Sequence, residues 1–170
     1  IGHDTGDKVV AGNNNTCVGF KAGEEIAGGN DNVFIGQQAG NSVTGYNNTG
    51  IGSGSMGGDG TTHSVAVGQA AMSGVTGIKN VAVGAESLDE AGAAAQDVAV
   101  GYQALTAATN ANNTGVGYRA GSGLSSGQGC TFLGADAGHG STATADNQMA
   151  LGYGSASHGA NVVTIGNASV

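Results

Sequence analysis

A pair formed by an apolar residue and glycine recurs along the whole chain at nearly constant spacing. It occurs eleven times, from Ile1-Gly2 to Ile165-Gly166, and successive glycines of the pair lie 14 to 18 residues apart. Two positions before the apolar residue stands a β-branched residue, with Met149 the one exception. Because alternate side chains of a strand share a face, each repeat is predicted to contain a short β-strand. We expect its β-branched and apolar residues to line the interior.

Other residue types also recur at fixed positions of the repeat, and each such position is called a column. The repeat glycines are expected to turn the chain or to let neighbouring backbones approach closely; they are Gly19, Gly36, Gly52, Gly68, Gly84, Gly101, Gly117, Gly134, Gly152 and Gly166. Three positions later comes a small residue that should face inward: Ala22, Ala39, Ser55, Ala71, Ser87, Ala104, Ala120, Ala137, Ser155 or Ser169. A weaker apolar column lies seven positions after the glycine: Ile26, Val43, Val75, Ala91, Ala108 and Leu124. The residue before each strand is usually Asn, whose side chain can form a ladder between coils.

The length of the repeat indicates the architecture. Sixteen residues are too few for a propeller blade or a helical repeat, which need about 34–50. The pattern therefore predicts an all-β fold: a parallel β-solenoid, or β-roll, of about ten coils of 16–17 residues, forming a single domain over residues 1–170. Since the repeat begins at residue 1 without an initiator Met, we expect the chain to be part of a longer protein.

Composition narrows the possible functions. Gly accounts for 35 of the 170 residues, Pro and Trp are absent, and the net charge is −8. Leu, Ile, Val and Phe make up under a fifth of the chain, so each coil has a thin core, and association between chains would stabilise it. The four basic residues are scattered, which argues against nucleic-acid binding. No apolar run is long enough for a membrane-spanning helix.

Several repeat units resemble those of known fibrous proteins. The units Asn80-Val-Ala-Val-Gly84-Ala-Glu-Ser87 and Ser64-Val-Ala-Val-Gly68-Gln-Ala-Ala71 resemble the left-handed β-roll heads of trimeric autotransporter adhesins. The units Asn113-Thr-Gly-Val-Gly-Tyr-Arg-Ala-Gly121 and Asn15-Thr-Cys-Val-Gly-Phe-Lys-Ala-Gly23 are more similar to repeats of bacteriophage tail fibres and tailspikes. Residues 161–170 resemble the segment before the intramolecular chaperone of such fibres.

This resemblance implies a left-handed coil assembled as a homotrimeric rod. It also implies a structural and host-attachment role on a virion, where the rod would contact a cell-surface receptor, either a glycan or an outer-membrane component. The head of a bacterial trimeric adhesin, located on the cell surface, is the alternative.

Aromatic residues are the main candidates for receptor contact. Phe20, Tyr102, Tyr118 and Tyr153 all directly follow a repeat glycine. Aromatic side chains suit both subunit packing and exposed binding surfaces, and the sequence leaves these two roles open. Tyr46 lies in a loop, and the longest loop, residues 139–147, adds His139 and Asn147 as candidates.

Other chemistry has weaker support in the sequence. Asp31 and Asp59, in Gly-rich turns, are the only candidates for a calcium site; no cofactor motif or catalytic residue stands out. The G-x-G-x-x-G match at residues 52–57 lacks the strand–helix context of a nucleotide site. Cys17 and Cys130 are seven coils apart, about 34 Å, so both are expected to be free thiols.

Two further functions remain as less favoured alternatives. A glycan-cleaving tailspike would need a pair of carboxylates, and no pair is marked out. An ice-binding solenoid would need a regular face of Thr. The strand residues Thr16, Thr49, Thr114 and Thr131 are interrupted by Val and are expected to point inward.

Overall fold

The computed structural model describes residues 1–8, 12–141 and 143–167, so Ser169 of the small-residue column and Thr142 of the longest loop lie outside it. Ten strands of three residues form one parallel sheet in chain order, which confirms a parallel β-solenoid of about nine turns. The strands are β1 Thr16–Val18, β2 Val33–Ile35, β3 Thr49–Ile51, β4 Val65–Val67, β5 Val81–Val83, β6 Val98–Val100, β7 Thr114–Val116, β8 Thr131–Leu133, β9 Met149–Leu151 and β10 Val163–Ile165.

All strands pair in the register that the repeat predicts. For example, Val81 pairs with Val98 and Val83 with Val100, and the same columns continue through the other strands. Equivalent residues of successive coils therefore stack directly above one another, about 4.8 Å apart.

The predicted orientation of the strand side chains is wrong. In β2 to β9 the central residue is the buried one, and the β-branched and apolar residues on either side of it face outward. The buried central residues are Phe34, Gly50, Ala66, Ala82, Ala99, Gly115, Phe132 and Ala150. The interior accepts one strand side chain per coil because the columns from the turns fill the rest.

Phe34 shows how tightly this interior is filled. A Cβ atom on Gly40 would lie 2.2 Å from the Phe34 ring, and one on Gly50 would lie 3.0 Å from it. The large ring thus occupies space that the two glycines leave open. Phe132 relates in the same way to Gly138, whose Cβ would lie 2.2 Å from the ring.

The small-residue and apolar columns are buried as predicted. The small residues Ala22, Ala39, Ser55, Ala71, Ser87, Ala104, Ala120, Ala137 and Ser155 are fully buried, as are Ile26, Val43, Val75, Ala91, Ala108 and Leu124. Met56, Met72, Leu88 and Leu105 complete this core.

The repeat glycines are required by close contact between backbones. Gly84, for instance, has a φ of 135°, and a Cβ atom there would lie 2.4 Å from the carbonyl oxygen of Gly101 in the next coil. A side chain at this column would therefore force adjacent coils apart, which confirms the predicted role.

The polar column forms the predicted ladder. Asn32 Oδ1 accepts the backbone N–H of Asn48 at 2.9 Å, and Asn48 Oδ1 accepts that of Ser64 at 3.0 Å. The Asn48 amide also donates to the carbonyl oxygen of Thr61 at 2.7 Å. The side chains thus satisfy buried backbone groups at the corner before each strand. Asp97 and Cys130 occupy the same column.

Candidate interaction surfaces

The outer face of the sheet is an apolar strip that runs along the rod. Each strand contributes two outward side chains, all of which are Thr, Val, Ile, Leu or Met, and none of which is charged. Ile35, Ile51, Val83 and Leu133 are all more than a third exposed, and Leu133 reaches 51%. At about 4.8 Å per strand and 3.3 Å per residue, the strip covers roughly 480 Å². Apolar patches of that size on soluble monomers are often functional.

The aromatic residues that follow the repeat glycines form a column along one edge of this strip. Tyr102 and Tyr118 stack, with ring centroids 5.6 Å apart and an interplanar angle of 19°. Both rings are partly exposed, and Tyr153 of the same column is 71% exposed. Partial burial, followed by the negative charge of Glu86, raises the pKa of the Tyr102 hydroxyl. The structure thus aligns three of the predicted receptor-contact residues on one exposed edge.

A polar cluster surrounds the end of this stack. The Arg119 guanidinium carbon lies 5.9 Å from the Tyr118 ring centroid, at the outer limit of a cation–π contact. Arg119 Nη2 lies 3.2 Å from His139 Nε2, and Arg119 Nη1 lies 3.7 Å from Asp136 Oδ1. His139 Nδ1 also lies 3.1 Å from the Ser122 hydroxyl. His139 is therefore brought next to the aromatic column, although it follows Arg119 by 20 residues in sequence.

Phe20 repeats part of this arrangement near the other end of the rod. Its ring stacks on His3 with centroids 5.9 Å apart, and Lys21 Nζ lies 5.8 Å from its centroid. In both places a basic residue directly follows the aromatic one, a pairing that the sequence alone shows. Arg119 is nevertheless not identifiable from the sequence as a site residue, because its neighbours His139 and Asp136 belong to the next coil.

Tyr46 and Asn147 lie away from the aromatic column, at the corner that precedes the strands. The Tyr46 ring contacts His63 edge-on at 5.2 Å, and the Asn147 amide donates to Asn161 Oδ1 at 2.9 Å. Both residues are exposed. The predicted contact residues thus lie at both ends of the strands: Tyr46 and Asn147 before them, and the aromatic column after them.

The two calcium candidates do not lie in a cluster of ligands. Asp31 Oδ1 accepts a hydrogen bond from the Asn14 amide at 2.9 Å, and Asp59 Oδ1 accepts one from the Thr44 hydroxyl. Within the described ranges, no group of three or more His, Cys, Asp or Glu side chains is close enough to hold a metal ion.

A depression of about 430 Å³ lies at the last described coil. It is lined by Gly154, Ala156, His158, Thr164, Ile165, Gly166 and Asn167. This lining includes no carboxylate, so the depression lacks the acid pair that glycoside cleavage uses.

The two cysteines are free, as expected. Burial raises the pKa of the Cys17 thiol and, more than any other cause, that of the Cys130 thiol. Among the residues that the structure describes, none belongs to a helix long and apolar enough to cross a bilayer.

The chain matches no family model, no curated protein and no solved structure. The fold and the surfaces nevertheless define a structural class: the chain is an all-β parallel β-solenoid. The outer face of its sheet is apolar, and one edge of that face carries a partly stacked column of aromatic side chains.

Proposed function

We propose that this chain is a non-catalytic structural and host-attachment segment of a trimeric viral tail fibre. The observation that carries the proposal is the uncharged apolar face that extends over all ten strands. Association that covers this strip removes apolar surface from water, which is favourable. The repeats that resemble phage fibres, and the left-handed coil that they imply, are consistent with this role.

The partner that best fits this face is a second copy of the same chain. Its columns of Val, Ile and Thr repeat at a constant spacing, so identical faces offer each other the same geometry from end to end. With a net charge of −8, the copies repel each other wherever charge is exposed, and the uncharged strip is where they approach with least repulsion. We propose a homotrimer, as in the fibres that the repeats resemble.

Attachment is assigned to the exposed aromatic column and to the loops, since the buried columns are occupied in folding. The proposed partner is a host surface receptor, either a glycan or an outer-membrane component, and the proposed location is the virion. A bacterial adhesin head is the alternative. A chaperone domain in the longer gene product would favour the fibre, and a membrane-anchor domain would favour the adhesin.

Sedimentation equilibrium tests the assembly. We expect wild-type protein at micromolar concentration to show three times the chain mass of 16.1 kDa. Val83→Asp places a charge on the sheet face and should yield monomers. Ile78→Asp is the matched control, because Ile78 is similarly exposed but lies outside the strands. A monomeric wild type, or equal dissociation of both variants, would contradict the proposal.

Binding to an array of bacterial surface polysaccharides and outer-membrane preparations tests attachment. We expect the wild-type rod to bind at least one of them, and a glycan-release assay on the bound polysaccharide to show no cleavage. Binding to none, or cleavage, would count against this function.

One observation favours ice binding as a second candidate. The sequence predicts that the Thr residues of the strands point inward, but this prediction is wrong. The residues that face outward on the regular sheet surface are Thr16, Thr49, Thr114 and Thr131. An assay of ice recrystallisation separates the two functions, since a trimer that covers this face cannot present it to ice. Inhibition by a monomeric protein would favour ice binding.

A further inference from the structure

The aromatic column has a gap at Ala135. Because the strands pair in register, the residues after the repeat glycines stack in the order Tyr102, Tyr118, Ala135, Tyr153. Tyr102 covers one face of the Tyr118 ring. The methyl group of Ala135 stands where the next ring of the column would lie. We call this gap the Ala135 notch; Tyr118, Arg119, Ala135, His139 and Tyr153 form it.

The coil spacing sets the distance across the notch. Tyr118 and Tyr153 are two coils apart, about 9.6 Å along the rod. A ring placed midway would lie about 4.8 Å from each tyrosine, within the centroid range of stacked rings. Both tyrosines are substantially exposed, and among the described residues Tyr153 stacks on no other ring. Ala85, the other alanine next to a tyrosine in this column, has a ring on one side only.

The rim of the notch carries hydrogen-bonding groups. Arg119 reaches from the Tyr118 coil toward Asp136 and His139 on the Ala135 coil. Its guanidinium carbon lies over the Tyr118 ring at 5.9 Å from the centroid, so a ligand ring stacked on Tyr118 would contact the guanidinium. At 3.7 Å, the contact between Arg119 and Asp136 is too long for a hydrogen bond. Asp136 Oδ1 is buried without a hydrogen-bond partner, so only the other oxygen of this partly exposed carboxylate can accept a hydrogen bond from a ligand. The partly exposed Arg119 guanidinium supplies the donors.

We propose that the Ala135 notch binds one uncharged pyranose unit of a saccharide, with the sugar ring between Tyr118 and Tyr153. The apolar faces of a pyranose suit the tyrosine rings, and its vicinal hydroxyls suit a donor and an acceptor placed side by side. Asp136 offsets the charge of Arg119, and the chain as a whole carries −8, so an acidic sugar is disfavoured. This inference rests on the proposed attachment function and names its ligand class.

Saturation-transfer NMR on the intact chain tests the site. The probes are the methyl α-glycosides of glucose, galactose, mannose and N-acetylglucosamine, with glucuronic acid as the acidic probe and adenosine as the planar one. We expect at least one methyl glycoside to receive saturation through its ring protons. If none binds, or if glucuronic acid or adenosine binds in preference, the proposal is wrong.

Ala135→Tyr is the decisive variant. It fills the notch with a side chain that the same column already carries at three positions, so the fold should tolerate it. We expect it to abolish glycoside binding, whereas the matched control Ala85→Tyr keeps wild-type binding. Arg119→Gln should weaken binding about tenfold through loss of a charged donor. Glycoside binding that survives Ala135→Tyr would overturn the assignment.

Failure of this site can be distinguished from failure of the fibre function. If Ala135→Tyr remains trimeric and still binds the polysaccharide array as the wild type does, the notch is wrong and the fibre function stands. If the wild type binds a methyl glycoside through the notch but neither trimerises nor binds the array, the fibre function is wrong and the notch stands.

Discussion

Asp97 makes the stability of this rod depend on pH. It occupies the polar ladder, where its backbone N–H donates to Asn80 Oδ1 at 2.9 Å and its Oδ1 accepts the N–H of Asn113 at 2.6 Å. The residue is fully buried, and its Oδ2 accepts no hydrogen bond from the described residues. At the equivalent place, the Asn80 amide donates to the carbonyl oxygen of Ala94 at 2.8 Å. A carboxylate cannot donate in this way, but a carboxylic acid can.

Burial raises the pKa of Asp97 from 3.8 to about 7, and the N–H groups of Asn113 offset part of that increase. In the folded state the side chain thus retains its proton at pH values where the unfolded chain has lost it. The contribution of this carboxyl group to stability is therefore greatest below about pH 4, falls between about pH 4 and 7, and stays constant above that range. At about 1.4 kcal/mol per pH unit, the ionised side chain costs up to about 4 kcal/mol above neutral pH.

Asp97→Asn tests this reasoning, because the amide supplies the missing donor at every pH. At pH 8 we expect a gain of up to about 4 kcal/mol, or roughly 8–16 °C in melting temperature for a chain of this size. At pH 4 the gain should be below about 1 kcal/mol. Thermal unfolding followed by circular dichroism at both pH values measures the difference.

The control is Asp31→Asn, which removes an equal charge from the surface and should give little change at either pH. An equal gain from Asp97→Asn at pH 4 and pH 8 would show that the buried acid is not the cause. A gain of the same size from Asp31→Asn would instead assign the effect to net charge.

Three further predictions follow from the columns of the repeat. Gly84→Ala should lower the free energy of unfolding by about 3 kcal/mol or more, since its Cβ would collide with the Gly101 backbone. In the control Gly140→Ala the new Cβ makes an ordinary contact at 3.5 Å, so chemical denaturation should show a change below about 0.5 kcal/mol. Asn80→Ala should cost about 2–4 kcal/mol in the same assay, because it leaves one buried N–H and one buried C=O without partners; a smaller loss would mean that water replaces the side chain. Cys130 should react with Ellman's reagent at least about tenfold more slowly in the native protein than in denaturant, since burial shields the thiol and raises its pKa. Equal rates would refute the buried position.

Much of the candidate site could be predicted from the repeat. Tyr102 and Tyr118 follow glycines of adjacent coils, so in-register stacking brings them together without further information. The contact of Arg119 with His139 could not be predicted in this way, because the two residues occupy different columns. That contact depends on where the turn after Gly117 places Arg119 and the turn after Gly134 places His139, which the repeat pattern does not specify.

The sequence by itself determined the period, the ten strands, their register, the glycine column and the buried small residues. These features follow from local conformation and from repetition, since equal spacing forces equivalent residues to stack. The direction of the strand side chains was decided only by the tertiary structure. Alternation shows that Val81 and Val83 share a face, but it does not tell which face is inside. Closure of the coil decides that: side chains from the turns fill most of the narrow interior, so the strand has one inward position, which Ala82 occupies, while Val81 and Val83 lie on the outer face.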